Sequence, residues 1–139
     1  MTVFLFLLTL QLRVIRQPDG APEFVSRLDG TVTQFQQAQG LAFLAHNYAS
    51  GRYFSDLKIG DEIKADDRVF HVTEIVQYQA IDPDNVKSEF IDLATGERLT
   101  AAQLFKEIYA DPDRLVLQTC IERDGIDSWG RLFVIAEGT

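Results

Sequence analysis

Arg114-Leu-Val-Leu-Gln-Thr-Cys120 and Arg131-Leu-Phe-Val-Ile-Ala136 are two short, alternating, β-rich runs joined by the stretch Ile121 to Gly130. In the first run Leu115, Leu117 and Thr119 share one face, and Val116, Gln118 and Cys120 share the other, because successive strand side chains point to opposite sides. The connection contains Asp124-Gly125, a dipeptide suited to a hairpin turn. A hairpin here brings Cys120 and Arg131 side by side.

Further β-rich runs lie upstream: Glu23 to Arg27, Thr31 to Gln36, Leu41 to Ala45, Glu62 to Ala65 and Arg68 to Gln79. Turn signals punctuate them, among them Gln17-Pro18-Asp19-Gly20, Leu28-Asp29-Gly30, Gln39-Gly40, Ile59-Gly60-Asp61 and Ala65-Asp66-Asp67. Leu8, Leu10, Leu12 and Val14 alternate with Thr9, Gln11 and Arg13, which predicts a first strand. The total is about eight strands, a number suited to a closed or nearly closed β-barrel. Two helical pieces interrupt the pattern. Tyr53 to Leu57 predicts a single turn. Thr100 to Tyr109 predicts a helix capped by Thr100 with Gln103 three residues on, a capping box, and its stripe of Leu104, Phe105 and Ile108 packs on the barrel. This helix sits in a long connection, Ile81 to Asp113, and connections of that length in compact domains are usually functional. It leads directly into the strand ending at Cys120, so it is placed to wall a groove.

The 139 residues fit one domain, 1–139, with no repeat or linker. At 46% hydrophobic and 24% charged the chain can fill one core. The net charge of -8, with no basic run, argues against a nucleic-acid backbone as partner. One Cys and two His leave no disulfide and make a structural zinc site improbable. Scattered carboxylates such as Asp82, Asp84, Glu89 and Asp92 are far commoner than calcium sites, so no metal and no cofactor are expected. Thr2 to Leu10 is apolar but far short of the roughly 20 residues that span a bilayer, and it lacks the basic start and small-residue cleavage site of a signal peptide. It reads as a strand at the end of a longer natural segment.

Three residues stand where predicted strands meet loops. Cys120 ends one run, His46 follows Leu41-Ala-Phe-Leu-Ala45, and Arg131 opens the last run. Taken singly, each has a bland reading: a lone Cys is usually a small buried hydrophobe, His46 a solvated loop residue, Arg131 a surface arginine. His71, within Val69-Phe-His-Val-Thr-Glu-Ile75, reads as an ordinary strand residue. Together the three fit nucleophilic catalysis. A thiol at neutral pH is only a few per cent thiolate and needs an activator. Histidine can move the proton, and a guanidinium can hold a developing oxyanion.

At these residues the chain resembles the sortase family. Val116-Leu-Gln-Thr-Cys120 is similar to its Thr-Leu-X-Thr-Cys signature, and Arg131-Leu-Phe-Val-Ile-Ala136 to its catalytic arginine and last strand. Leu41-Ala-Phe-Leu-Ala-His46, then Phe54-Ser-Asp-Leu57 and Ile59-Gly-Asp-Glu-Ile63, resemble the stretch around its catalytic histidine. Val116 in place of Thr and Ala45 in place of Gly depart from the pattern without removing a catalytic group, and the part before Gln39 matches only loosely. The resemblance implies an all-β, eight-stranded barrel with one or two short helices. It implies a thiol transpeptidase in which Cys120 attacks a sorting signal of the Leu-Pro-X-Thr-Gly kind, His46 shuttles protons and Arg131 holds substrate and oxyanion. The partners implied are the sorting signal of a surface protein and an amine acceptor, either a cell-wall precursor or a protein amine. It also implies an extracytoplasmic, membrane-associated enzyme anchored by an N-terminal segment. A thiol peptidase using water, or an idle barrel that binds peptides or wall polymers, uses the same residues and stays open.

Overall fold

A computed structural model describes residues 2–138. Ten strands form one sheet: β1 (Phe4–Leu7), β2 (Leu10–Arg16), β3 (Thr31–Gln34), β4 (Leu41–Leu44), β5 (Glu62–Ala65), β6 (Arg68–Ala80), β7 (Phe90–Asp92), β8 (Arg98–Leu99), β9 (Arg114–Arg123) and β10 (Ile126–Gly138). Eight close into a barrel in the order β10-β9-β4-β3-β2-β1-β5-β6, and the seam is sealed by antiparallel pairing of β10 with β6. β7 and β8 extend outward from β6 as a small flap. Closure leaves no open edge within the ring.

The period-two alternation sorts side chains into two cores. Leu5, Leu12, Val32, Phe43, Ile63, Leu115, Leu117 and Val134 fill the barrel interior. The opposite face of β4, β6, β9 and β10, with Ala42, Tyr78, Val116, Phe133 and Ile135, packs beneath helix α1 (Ala101–Tyr109). α1 starts as its sequence dictates: the Gln103 N–H donates to Thr100 Oγ1 at 3.1 Å and the Thr100 N–H to Gln103 Oε1 at 2.9 Å. It lays Leu104 and Ile108 on the barrel, while Phe105 stays 41% exposed beside Phe35 and Tyr109. The predicted turn at Tyr53 to Leu57 is part of a 3-10 helix, Ser50–Asp56.

Three expectations are corrected. Glu23 to Arg27 forms no strand. Its backbone is held by side chains instead of a ladder: Gln17 Nε2 donates to the Pro22 and Phe24 carbonyls at 2.8 and 3.1 Å, and the Ser26 N–H donates to Thr33 Oγ1 at 2.8 Å. This stretch is the crossover that the parallel pairing of β2 and β3 requires. The single first strand is a hairpin, β1 and β2, turning at Leu8, whose φ of 57° is unusual for a bulky residue. The connection after Ile81 is not free of strands, since β7 and β8 lie within it. The apolar start of the chain is barrel wall, with Leu5 and Leu7 buried. Among the described residues no helix is long and apolar enough to cross a membrane.

The loop from Ala45 to Gly51 is wedged against β9. The Gly51 and Ala49 N–H groups both donate to the His46 carbonyl, at 2.9 and 3.0 Å. A Cβ on Gly51 would collide with Thr119 Oγ1 and lie 2.6 Å from the His46 carbonyl and 2.8 Å from that of Ala45. Gly51→Ala is therefore expected to destabilise the protein by about 1–3 kcal/mol through forced backbone shifts, and to disturb the backbone on both sides of His46. Urea unfolding, with the amide chemical shifts of residues 45–51 and 118–120, checks both effects. An unchanged midpoint would show that the loop is not wedged there.

Candidate active site

β9 is bonded on both edges. On one side it runs antiparallel to β10, with Cys120 directly opposite Arg131. On the other it runs parallel to β4, with Ala42 opposite Val116 and Leu44 opposite Gln118. The ladder persists one step past β4, where the Ala45 N–H donates to the Gln118 carbonyl at 3.2 Å. The pairing ends there, and His46 follows one residue later, where the chain turns. Parity gives the face. Phe43, Ala45, Leu117 and Leu132 point into the barrel, so Cys120 and Arg131 belong to the outer face, with Ala42, Val116 and Phe133. Cys120 is half-buried and is not sealed in the interior.

His46 and Arg131 each have partners of their own. His46 Nε2 lies 3.2 Å from the Val25 carbonyl, and its ring stacks on Tyr48 with centroids 4.8 Å apart. A carbonyl can only accept, so the neutral imidazole carries its proton on Nε2 and keeps Nδ1 as the basic nitrogen. Arg131 Nη1 donates to the Ser128 and Gly130 carbonyls at 2.9 and 3.0 Å, and its guanidinium lies 5.7 Å from the centroid of the Phe90 ring. These bonds occupy both Nη1 hydrogens and leave Nε and Nη2 without a hydrogen-bond partner among the described residues. The Cys120 thiol is pushed up by burial, pulled back by the Arg131 charge, and pushed up again by the Asp127 carboxylate. Burial dominates, so the resting group is the neutral thiol.

A groove of about 320 Å³ adjoins the Cys120–Arg131 pair. Gln118 and Arg131 stand at its Cys120 end, two residues from the thiol on β9 and directly across from it on β10. Phe35, Phe105, Tyr109 and Phe133 supply an aromatic wall, with Tyr109 within 5.0 Å of Phe35 and 6.1 Å of Phe133, centroid to centroid. The Tyr109 hydroxyl donates to Gln118 Oε1, and deep burial raises the phenol far above its ordinary value, so it stays a donor. α1 thus walls the groove, as the long connection suggested. A second hollow, of about 530 Å³, lies between His46 and residues 23–28. Glu23 borders both hollows.

Sequence reasoning singled out no individual groove-wall residue. It also missed the Val25 carbonyl, Asn47, whose Nδ2 donates to the Asp127 carbonyl at 3.0 Å, and Asp127 itself. A backbone acceptor has no signature in residue type, and Asp127 resembles any surface acid. Asn47, next to His46, was the one visible hint.

The opposed charges on Cys120 give a test with two signs. Arg131→Gln removes the group favouring the thiolate, so the pH midpoint of Cys120 alkylation by iodoacetamide should move up. Asp127→Asn removes a group opposing the thiolate, so the midpoint should move down. Shifts in the same direction would mean that these charges do not act on the sulfur.

No protein-family model matches the sequence, and no curated protein matches it. Solved structures do. Sortase A of Listeria monocytogenes aligns over 99% of this chain and 87% of its own, with 18% identity and a TM-score of 0.58. Sortase C1 of Streptococcus suis aligns over 99% and 72%, with 14% identity and a TM-score of 0.62. Sortase D5 of Clostridium perfringens aligns over 99% and 78%, with 13% identity and a TM-score of 0.59. Three differently lettered sortases superpose on nearly the whole chain, and the eight-stranded barrel with its flanking helix is a sortase-like fold.

Proposed function

We propose that this protein is a cysteine transpeptidase that cleaves the sorting signal of a surface protein and transfers the acyl part to an amine. The observation that carries this reading is the pairing of Cys120 with Arg131 across β9 and β10, beside a groove that Arg131 and Gln118 border, with His46 two residues past the end of β4, which pairs with β9. The thiol proton passes to His46 Nδ1 as sulfur attacks the scissile carbonyl and a C–S bond forms. The free Nε and Nη2 of Arg131 hold the oxyanion and the neighbouring substrate carbonyls. Collapse breaks the C–N bond, and His46 gives its proton to the leaving amine. An incoming amine then loses a proton to His46 and attacks the thioester. A C–N bond forms, the C–S bond breaks, and the sulfur regains a proton. The aromatic groove takes the apolar part of a signal of the Leu-Pro-X-Thr-Gly kind. Such an enzyme works outside the cytoplasmic membrane, held there by an N-terminal anchor, and its acceptor is a cell-wall precursor or a protein amine.

A raised thiol, with the His46 ring and the Arg131 guanidinium bonded to backbone carbonyls, favours the rival reading of an idle barrel that binds peptides without acylation. A thiol peptidase differs only in using water as acceptor. A library of sorting-type peptides, with and without added amine, separates the three by mass spectrometry. The expected result is an acyl adduct on Cys120 and, with amine, a ligated product. Cys120→Ala should abolish both while changing stability by less than about 1 kcal/mol, and Arg131→Lys should lower kcat/KM about a hundredfold, since an ammonium lacks the forked donors. Peptides bound without any adduct would establish the idle barrel, and adduct with hydrolysis alone the peptidase.

A further inference from the structure

The β9–β10 hairpin is irregular where it passes the candidate site. Arg123 pairs with Ile126 and Ile121 with Gly130, so Asp127, Ser128 and Trp129 bulge opposite the lone Glu122. Bulges re-aim side chains and are frequent beside active sites. This one is fastened from several directions. Its Asp127 carbonyl accepts from Asn47, next to His46, at 3.0 Å. Its Ser128 carbonyl accepts from Arg131 at 2.9 Å. Its outer side is braced by the Arg123 guanidinium, 4.1 Å from the Trp129 ring centroid.

The bulge leaves the Asp127 side chain exposed, with no ion pair among the described residues. Tyr48, 57% exposed and stacked on His46, follows Asn47, the residue that tethers the bulge. The charge of the carboxylate opposes ionisation of the Cys120 thiol. For a nucleophile this is a handicap. For a site that must also receive a cation beside the fixed positive charge of Arg131, it is an attraction.

We propose that the Asp127 carboxylate is the docking point for the primary ammonium of the acceptor, holding it between the bulge and the His46–Tyr48 stack. The inference rests on the transfer reading above. From that position the ammonium gives one proton to His46 Nδ1 and becomes the free amine that attacks the thioester. The second amine proton returns to sulfur as the C–S bond breaks, and His46 releases its proton to water.

Wild type and Asp127→Asn are acylated with a peptide found in the library screen. The thioester is then partitioned between aminolysis and hydrolysis near neutral pH. Triglycine offers an α-ammonium, Nα-acetyl-lysine amide an ε-ammonium, and hydroxylamine an uncharged nucleophile. In Asp127→Asn the aminolysis-to-hydrolysis ratio should fall about fivefold with an ammonium nucleophile and by less than about twofold with hydroxylamine, and Asp127→Glu should restore part of the loss. A loss confined to triglycine or to the lysine derivative assigns the site to that amine. Equal losses with all three nucleophiles, or none with any, overturn the docking point while leaving acylation established. A wild type that never acylates ends the transfer reading, and the acceptor site with it.

Discussion

β9 is flanked by β4 on one edge and β10 on the other, and its two-sided hydrogen bonding is the constraint on which the candidate site depends. Its interior residues, Leu115 and Leu117, are fully buried, and the register on both edges is locked by that burial. A slip of one residue against either neighbour would turn apolar side chains to the groove and polar ones to the core. The hydrophobic effect therefore sets the position of the thiol. Nothing at the site needs to be strong enough to place Cys120, because buried leucines do so from the opposite face of the same strand.

The same arrangement explains why the electrostatics are mixed. A strand centre is a dry place, and burial favours the neutral thiol. One guanidinium across the hairpin does not outweigh it. Under the proposed reaction the thiol would lose its proton to His46 as it attacks, instead of starting from a standing thiolate. The Val25 carbonyl suits this, since by accepting from Nε2 it keeps Nδ1 unprotonated in the neutral ring. The crossover that β2 and β3 require for parallel pairing thus also fixes the histidine's tautomer.

Much of this was legible in the sequence, and the reasons are local. The alternation in Arg114 to Cys120, with Asp124-Gly125 beyond it, is enough to place Cys120 against Arg131, and Asp124 and Gly125 both adopt the positive φ such a turn needs. The Thr100–Gln103 capping box declares the start of α1. What escaped was non-local or carried by backbone. Glu23 to Arg27 has strand-like composition, yet its N–H and C=O groups are claimed by Gln17 and Thr33 from outside the run. β7 and β8 are three and two residues long, too short for any periodicity to register. The bulge at Asp127 to Trp129 cannot be read from residues that would serve equally well in a regular strand.

Under the proposed transfer, the bulge also bears on how a small barrel would make room for two substrates in sequence. The aromatic groove lies to one side of Cys120, under α1, and is apolar. The bulge and the His46 loop meet at the Asn47–Asp127 bond. A site that first accepts an acyl donor and later an amine needs approaches that do not compete, because the acyl group still occupies the first when the second substrate arrives. Ser128 links the two regions. Its carbonyl orients the guanidinium that borders the groove, and it adjoins the residue whose carbonyl holds the histidine's neighbour. Arg131 and Asn47, the neighbour of His46, are therefore held to one three-residue bulge by hydrogen bonds of ordinary length. Movement of that bulge would change the donor side and the acceptor side together.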